Sequence, residues 1–99
     1  MNQIGAGRST FLLIIQMKIN VHVKDKVFLI NCNEGIQNVR WTANAALTLY
    51  DHYYTPITSM LKLITDERDQ QIEESLIINQ TLKDESHIWA ILEDETEDE

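Results

Sequence analysis

The last apolar stretch of this chain, Ile88-Trp89-Ala90-Ile91-Leu92, has no polar position and is followed at once by acids. Its residues are strand formers, and the polar, turn-prone run Thr81 to Ser86 before it sets off His87 to Leu92 as a discrete strand. A strand that is apolar on both faces belongs inside a sheet. At an edge the same residues would invite pairing with other chains. The fold expected of this chain therefore places its final strand between two others.

Ninety-nine residues with 43% apolar content support one folded domain with a modest core. Cys32 is the sole cysteine, so no intrachain disulfide forms, and a reducing intracellular compartment, the cytoplasm, is the expectation. The net charge of −8 is local: six of the sixteen acids lie in Glu93 to Glu99, leaving ten acids against eight bases, a net −2, in the rest. Neither part carries the basic footprint of a nucleic-acid binder, and the acidic end repels phosphates and anionic lipid heads. The longest apolar run, Phe11 to Ile15, falls far short of the ~20 residues that span a bilayer, so no membrane partner is expected.

Residues 1–16 read as a flexible N-terminal extension. Gly5-Ala6-Gly7-Arg8-Ser9-Thr10 faintly resembles a phosphate loop but lacks the lysine after a second glycine and a preceding strand. Patterning begins at Met17. Ile19, Val21 and Val23 alternate with Lys18, Asn20 and His22, the period of a half-buried strand. After the short polar break Lys24-Asp25-Lys26, Val27 to Cys32 forms a second strand, and so brief a connection implies an antiparallel hairpin. Asn33-Glu34-Gly35 is a turn. Ile36, Val39, Ala43, Ala46/Leu47 and Tyr50 then recur at helical spacing, with Asn33 as the expected cap and Pro56 closing the helix. Ser59 to Thr65 reads as a third strand, with Leu61 and Leu63 inward and Lys62 and Ile64 outward. A charged turn, Asp66 to Gln70, leads to a short return strand at Ile72. Ser75 to Gln80 reads as a loop tucked under the sheet by one or two apolar anchors. Residues 93–99 read as a disordered acidic tail.

This order of elements over residues 17–92 resembles the ubiquitin-like β-grasp superfamily. Met17-Lys18-Ile19-Asn20-Val21-His22-Val23 looks like its first strand, Glu34-Gly35-Ile36-Gln37-Asn38-Val39 like its helix start, and Leu82 to Leu92 like the turn and last strand of ubiquitin itself. The resemblance implies an α+β fold: a mixed four- or five-stranded sheet crossed by one main helix, with the first and last strands parallel at the centre. Conjugated members, and the sulfur carriers of the superfamily, end in a glycine pair. Here no glycine follows Gly35, so the chain resembles the non-conjugated type.

Catalytic chemistry is not expected. His22, His52 and His87 lack metal-ligand spacing, Cys32 lies in no nucleophile motif, and the acids around Asp66 lack the alternating oxygens and sharp-turn glycine of a calcium loop. No cofactor motif is present. Since the resemblance points Ile88, Ala90 and Leu92 at the helix, Trp89 and Ile91 fall on the other face, near Ile64 and Lys62, as a patch for a protein partner. Internal cover of that patch, by Phe11 to Ile15 or by Leu76 to Ile78, is the bland counterpart. A second reading is self-association. Head-to-tail scaffold domains of the Phox-and-Bem and DIX kinds share this superfamily, and Asp66, Glu67 and Asp69 could pair with Lys18, Lys24 and Lys26 of another copy.

Overall fold

The structure is a computed structural model that describes residues 16–95. The first two strands, β1 (Met17–Val23) and β2 (Lys26–Asn33), form the expected antiparallel hairpin. Lys24 turns it by adopting φ +54. The alternation of β1 translates directly into burial, with Ile19, Val21 and Val23 fully enclosed. On β2 the inward set is Phe28, Ile30 and Cys32, with Val27, Leu29 and Asn31 facing out.

The helix α1 (Val39–Tyr53) begins later than its apolar spacing implies. Asn38, not Asn33, is the cap: its Oδ1 accepts from the Trp41 N–H at 2.8 Å. Asn33 and Gly35 instead take φ +52 and +75 in the linking turn, and Ile36 is 66% exposed. The cause is tertiary. The first-turn donors of a helix need outside acceptors, and the segment before the last strand provides them. Val39 N–H donates to the Leu76 carbonyl at 2.9 Å and Arg40 N–H to that of Glu74 at 3.0 Å. That segment also bonds to the turn itself, with Asn79 N–H donating to the Gly35 carbonyl at 2.9 Å. Gly35 is hemmed in there: a Cβ would lie 2.7 Å from Met17 Sδ and 2.9 Å from Asn79 Cβ. From its new start the helix buries Val39, Thr42, Ala43, Ala46 and Tyr50 against the sheet and ends beside Tyr54, whose N–H donates to the Tyr50 carbonyl.

After α1 come β3 (Leu61–Thr65), a one-turn helix α2 (Ile78–Thr81) and β4 (His87–Leu92). The sheet order is β2-β1-β4-β3. β4 runs parallel to β1, with Val21 beside Ile88 and Val23 beside Ala90, and antiparallel to β3. Ile88, Ala90 and Leu92 are buried under α1, as their position in a central strand requires. The molecule is thus α+β, with a four-stranded mixed sheet and one main helix.

Beyond the helix start, three further expectations give way. The first concerns β3. A bulge between Leu61 and Leu63 shifts the alternation, so Ile64 pairs with Ala90 and is fully buried, whereas Leu63 lies opposite Ile91. An extra residue in a strand reverses every side chain beyond it, which strict alternation from Leu61 cannot foresee. The second is the return strand. Ile72 is buried and its N–H donates to the Ile64 carbonyl at 2.8 Å, but the pairing there is the isolated Thr65–Gln71 bridge, and the sheet has four strands. The third is the acidic segment. Glu93–Glu95 form a 3-10 turn. Glu93 N–H donates to the Met60 carbonyl at 2.8 Å, Asp94 N–H to Ser59 Oγ at 3.0 Å, and Lys24 Nζ lies 3.6 Å from the Asp94 carboxylate. Residues 96–99, and the extension with Phe11 to Ile15, lie outside the described residues.

The bulge yields a direct test. Truncating a buried aliphatic side chain costs ~2–5 kcal/mol, whereas an exposed position costs little. Ile64→Ala is therefore expected to lower unfolding free energy by ~2–5 kcal/mol and Lys62→Ala by under ~1 kcal/mol, measured by denaturant melts.

Candidate functional site

The sheet face away from α1 carries the outward residues of each strand: Val27 and Leu29 on β2, Asn20 and His22 on β1, His87, Trp89 and Ile91 on β4, and Leu63 on β3. At its centre the parallel register sets His22 beside Trp89. Their rings stack at 4.2 Å between centroids and 14° between planes. His22 Nε2 also lies 2.9 Å from His87 Nδ1. One imidazole must donate and the other accept, so this contact needs at least one neutral ring. Burial, and then the neighbouring His87, hold the His22 pKa below its ordinary value.

Around this aromatic and histidine centre the face mixes polar Asn20 with apolar side chains. Val27 is 50% and Leu29 56% exposed, while Trp89, Ile91 and Leu63 are half-buried. The structure thus brings Trp89 and Ile91 together as expected. It removes Ile64 from the patch, since that side chain is in the core, and puts Leu63 in its place. Lys62 is exposed at the bulge. Sequence reasoning missed Val27 and Leu29. The signal was weak because Val27 to Cys32 is apolar at both odd and even positions except Asn31, so only pairing with β1 reveals which set faces out. Of the two covers considered, the Leu76 to Ile78 segment bonds to residues around the start of α1.

The charged groups weighed for self-association are largely engaged within the chain. Lys24 reaches Asp94 and Lys26 Nζ sits 4.7 Å over the Tyr54 ring. The Asp66 carboxylate accepts from the backbone N–H groups of Arg68 at 2.8 Å and Gln70 at 3.0 Å, contacts that lower its pKa, the Gln70 bond most. Glu67 Oε2 accepts from the His87 N–H at 2.9 Å. The strand registers place Lys24 and Lys26 at one end of the sheet and the Asp66–Asp69 turn at the other, with Lys18 at the acidic end beside Asp84 and Glu85.

Cys32 is buried, and burial pushes its thiol pKa up, opposite to what a nucleophile needs. Among the described residues no group of three or more His, Cys, Asp or Glu is placed to hold a metal ion, and no helix is long and apolar enough to cross a membrane. His52 stands apart from the other histidines, edge-on to Tyr53 at 4.7 Å.

The histidine geometry sets a pH dependence. A His whose pKa is depressed by folding stays neutral while the unfolded chain, with a pKa near ~6.5, takes up a proton. The unfolded state then binds more protons, so stability falls as pH drops below ~6.5 and levels off below the folded pKa. His22→Gln is expected to flatten that limb relative to wild type in denaturant melts between about pH 5 and pH 7.5. Asp66 acts at lower pH and is common to both proteins, so it cancels in the comparison.

No protein-family model matches this chain, and no curated protein matches it either.

Proposed function

We propose that this chain is a non-catalytic protein-interaction module of ubiquitin-like, β-grasp type, and that it binds a protein partner through the sheet face away from α1. The observation that carries the reading is the Trp89–His22 stack set among Val27, Leu29, Leu63 and Ile91, with the two β2 side chains half or more exposed. Burying apolar side chains of this size is worth ~1.5–3 kcal/mol each, and a tryptophan at the centre of such a patch is a favoured anchor. The fold component is supported by the strand order β2-β1-β4-β3, the parallel central pair and the single main helix, which agree with what the resemblance implies. Lys62, exposed beside the patch, is suited to a polar rim.

The test is affinity capture with wild type and Trp89→Ala, the bound protein identified by mass spectrometry and its affinity then measured with purified components. Loss of an anchor typically costs ~2 kcal/mol or more, so the variant is expected to bind at least ~30-fold more weakly with an unchanged circular dichroism spectrum. Unfolding of Trp89→Ala, or undiminished binding by a folded Trp89→Ala, would defeat the reading.

A further inference from the structure

The two edges of the sheet are unlike. On β3 the edge is broken by the bulge at Lys62, and its Ile64 carbonyl is already taken by the Ile72 N–H. Asp66, Glu67, Asp69, Glu73 and Glu74 follow it closely. Each of these features discourages pairing with another strand. On β2 none is present between Val27 and Asn31. That run has no charge, proline or glycine, and the register shift in its pairing with β1 comes only at the Asn33 end.

Among the described residues, the hairpin register fixes which backbone groups of β2 face away from β1. Val23 and Lys26 close the turn as a hydrogen-bonded pair, and antiparallel alternation then directs the N–H and C=O groups of Val27, Leu29 and Asn31 away from β1. Two of these residues also present exposed aliphatic side chains. Charge along the strand is partly self-complementary: Lys24 and Lys26, flanking Asp25, lie at its start, partly exposed to solvent beside their contacts to Asp94 and Tyr54, and Glu34 lies just past its end. An antiparallel second copy of β2, with a two-fold axis at Leu29, sets Val27 opposite Asn31 and brings the lysine end of each copy toward Glu34 of the other. Asp25, between the two lysines, comes near the same Glu34, so each turn brings two positive charges and one negative charge toward it.

We infer that β2 pairs with β2 of a second copy of this chain, giving a closed two-fold dimer with one continuous eight-stranded sheet. The pairing is isologous, so it stops at two copies. It leaves Trp89 two strands away and open to a partner; Val27 and Leu29 border both surfaces, so Trp89→Ala, which leaves the β2 edge intact, is the variant that separates the two readings.

Sedimentation of the full chain from micromolar to millimolar concentration reads the dimer, and targeted cysteines read its register. In a hydrogen-bonded antiparallel pair the Cα atoms lie about 5.5 Å apart, within disulfide reach. Leu29→Cys is therefore expected to form a cross-linked dimer under mild oxidation. Val27→Cys should not, because the axis separates its two copies by ~13 Å. Wild type, whose only cysteine is buried, is the control. Leu29→Lys sets two like charges at the axis and is expected to be a folded monomer, whereas Trp89→Ala remains dimeric. A wild type that stays monomeric at millimolar concentration overturns the inference. So does a dimer that survives Leu29→Lys, or one that cross-links at Val27→Cys and not at Leu29→Cys.

Discussion

The parallel pairing of β1 with β4 holds the molecule together. It joins the first and last strands of the described chain, so the rest of the hairpin, the helix, the third strand and the one-turn helix all lie between the paired segments in sequence. Its inner face is Ile19, Val21 and Val23 against Ile88, Ala90 and Leu92, all essentially removed from solvent. The register is locked from the lower end by the turn before β4. Lys18 N–H donates to Asp84 Oδ1 at 2.8 Å and Asn20 N–H to the Ser86 carbonyl at 2.8 Å. A slip of one residue by either strand would turn its inner row outward, so the pairing is fixed by burial as well as by hydrogen bonds.

The outer face inherits its composition from that register. Setting His22 beside Trp89 and next to His87 gives a stacked, hydrogen-bonded centre on the face opposite the helix. The same two strands therefore build the core on one side and the candidate interaction surface on the other. Parallel central strands are usually apolar on both faces. In β1 the outer positions are instead Lys18, Asn20 and His22, so the helix-free side is a mixed polar and apolar surface rather than a second core.

The segment between β3 and β4 has a second role. Its carbonyls at Glu74 and Leu76 accept from the first turn of α1, and its Asn79 closes over Gly35. A helix start is ordinarily satisfied by its cap and by water. Here it is completed by residues more than thirty positions later in the chain, which ties the helix to the sheet through more than side-chain packing.

Much of this was legible in local pattern. Period-two alternation in Met17 to Val23 specified a half-buried strand, the three-and-four spacing from Ile36 to Tyr50 a helix, though one that begins only at Val39, and the fully apolar Ile88 to Leu92 an interior strand. Each signal arises from residues close in sequence, where backbone period dictates which side chains share a face. What only the tertiary structure decided came from long-range partners. The bulge that buries Ile64 and turns Leu63 to the outer face is seen only in the pairing of β3 with β4. The late helix start exists because distant carbonyls take its donors. The outward assignment of Val27 and Leu29 follows from pairing with β1. In each case contacts absent from the local sequence decided the outcome.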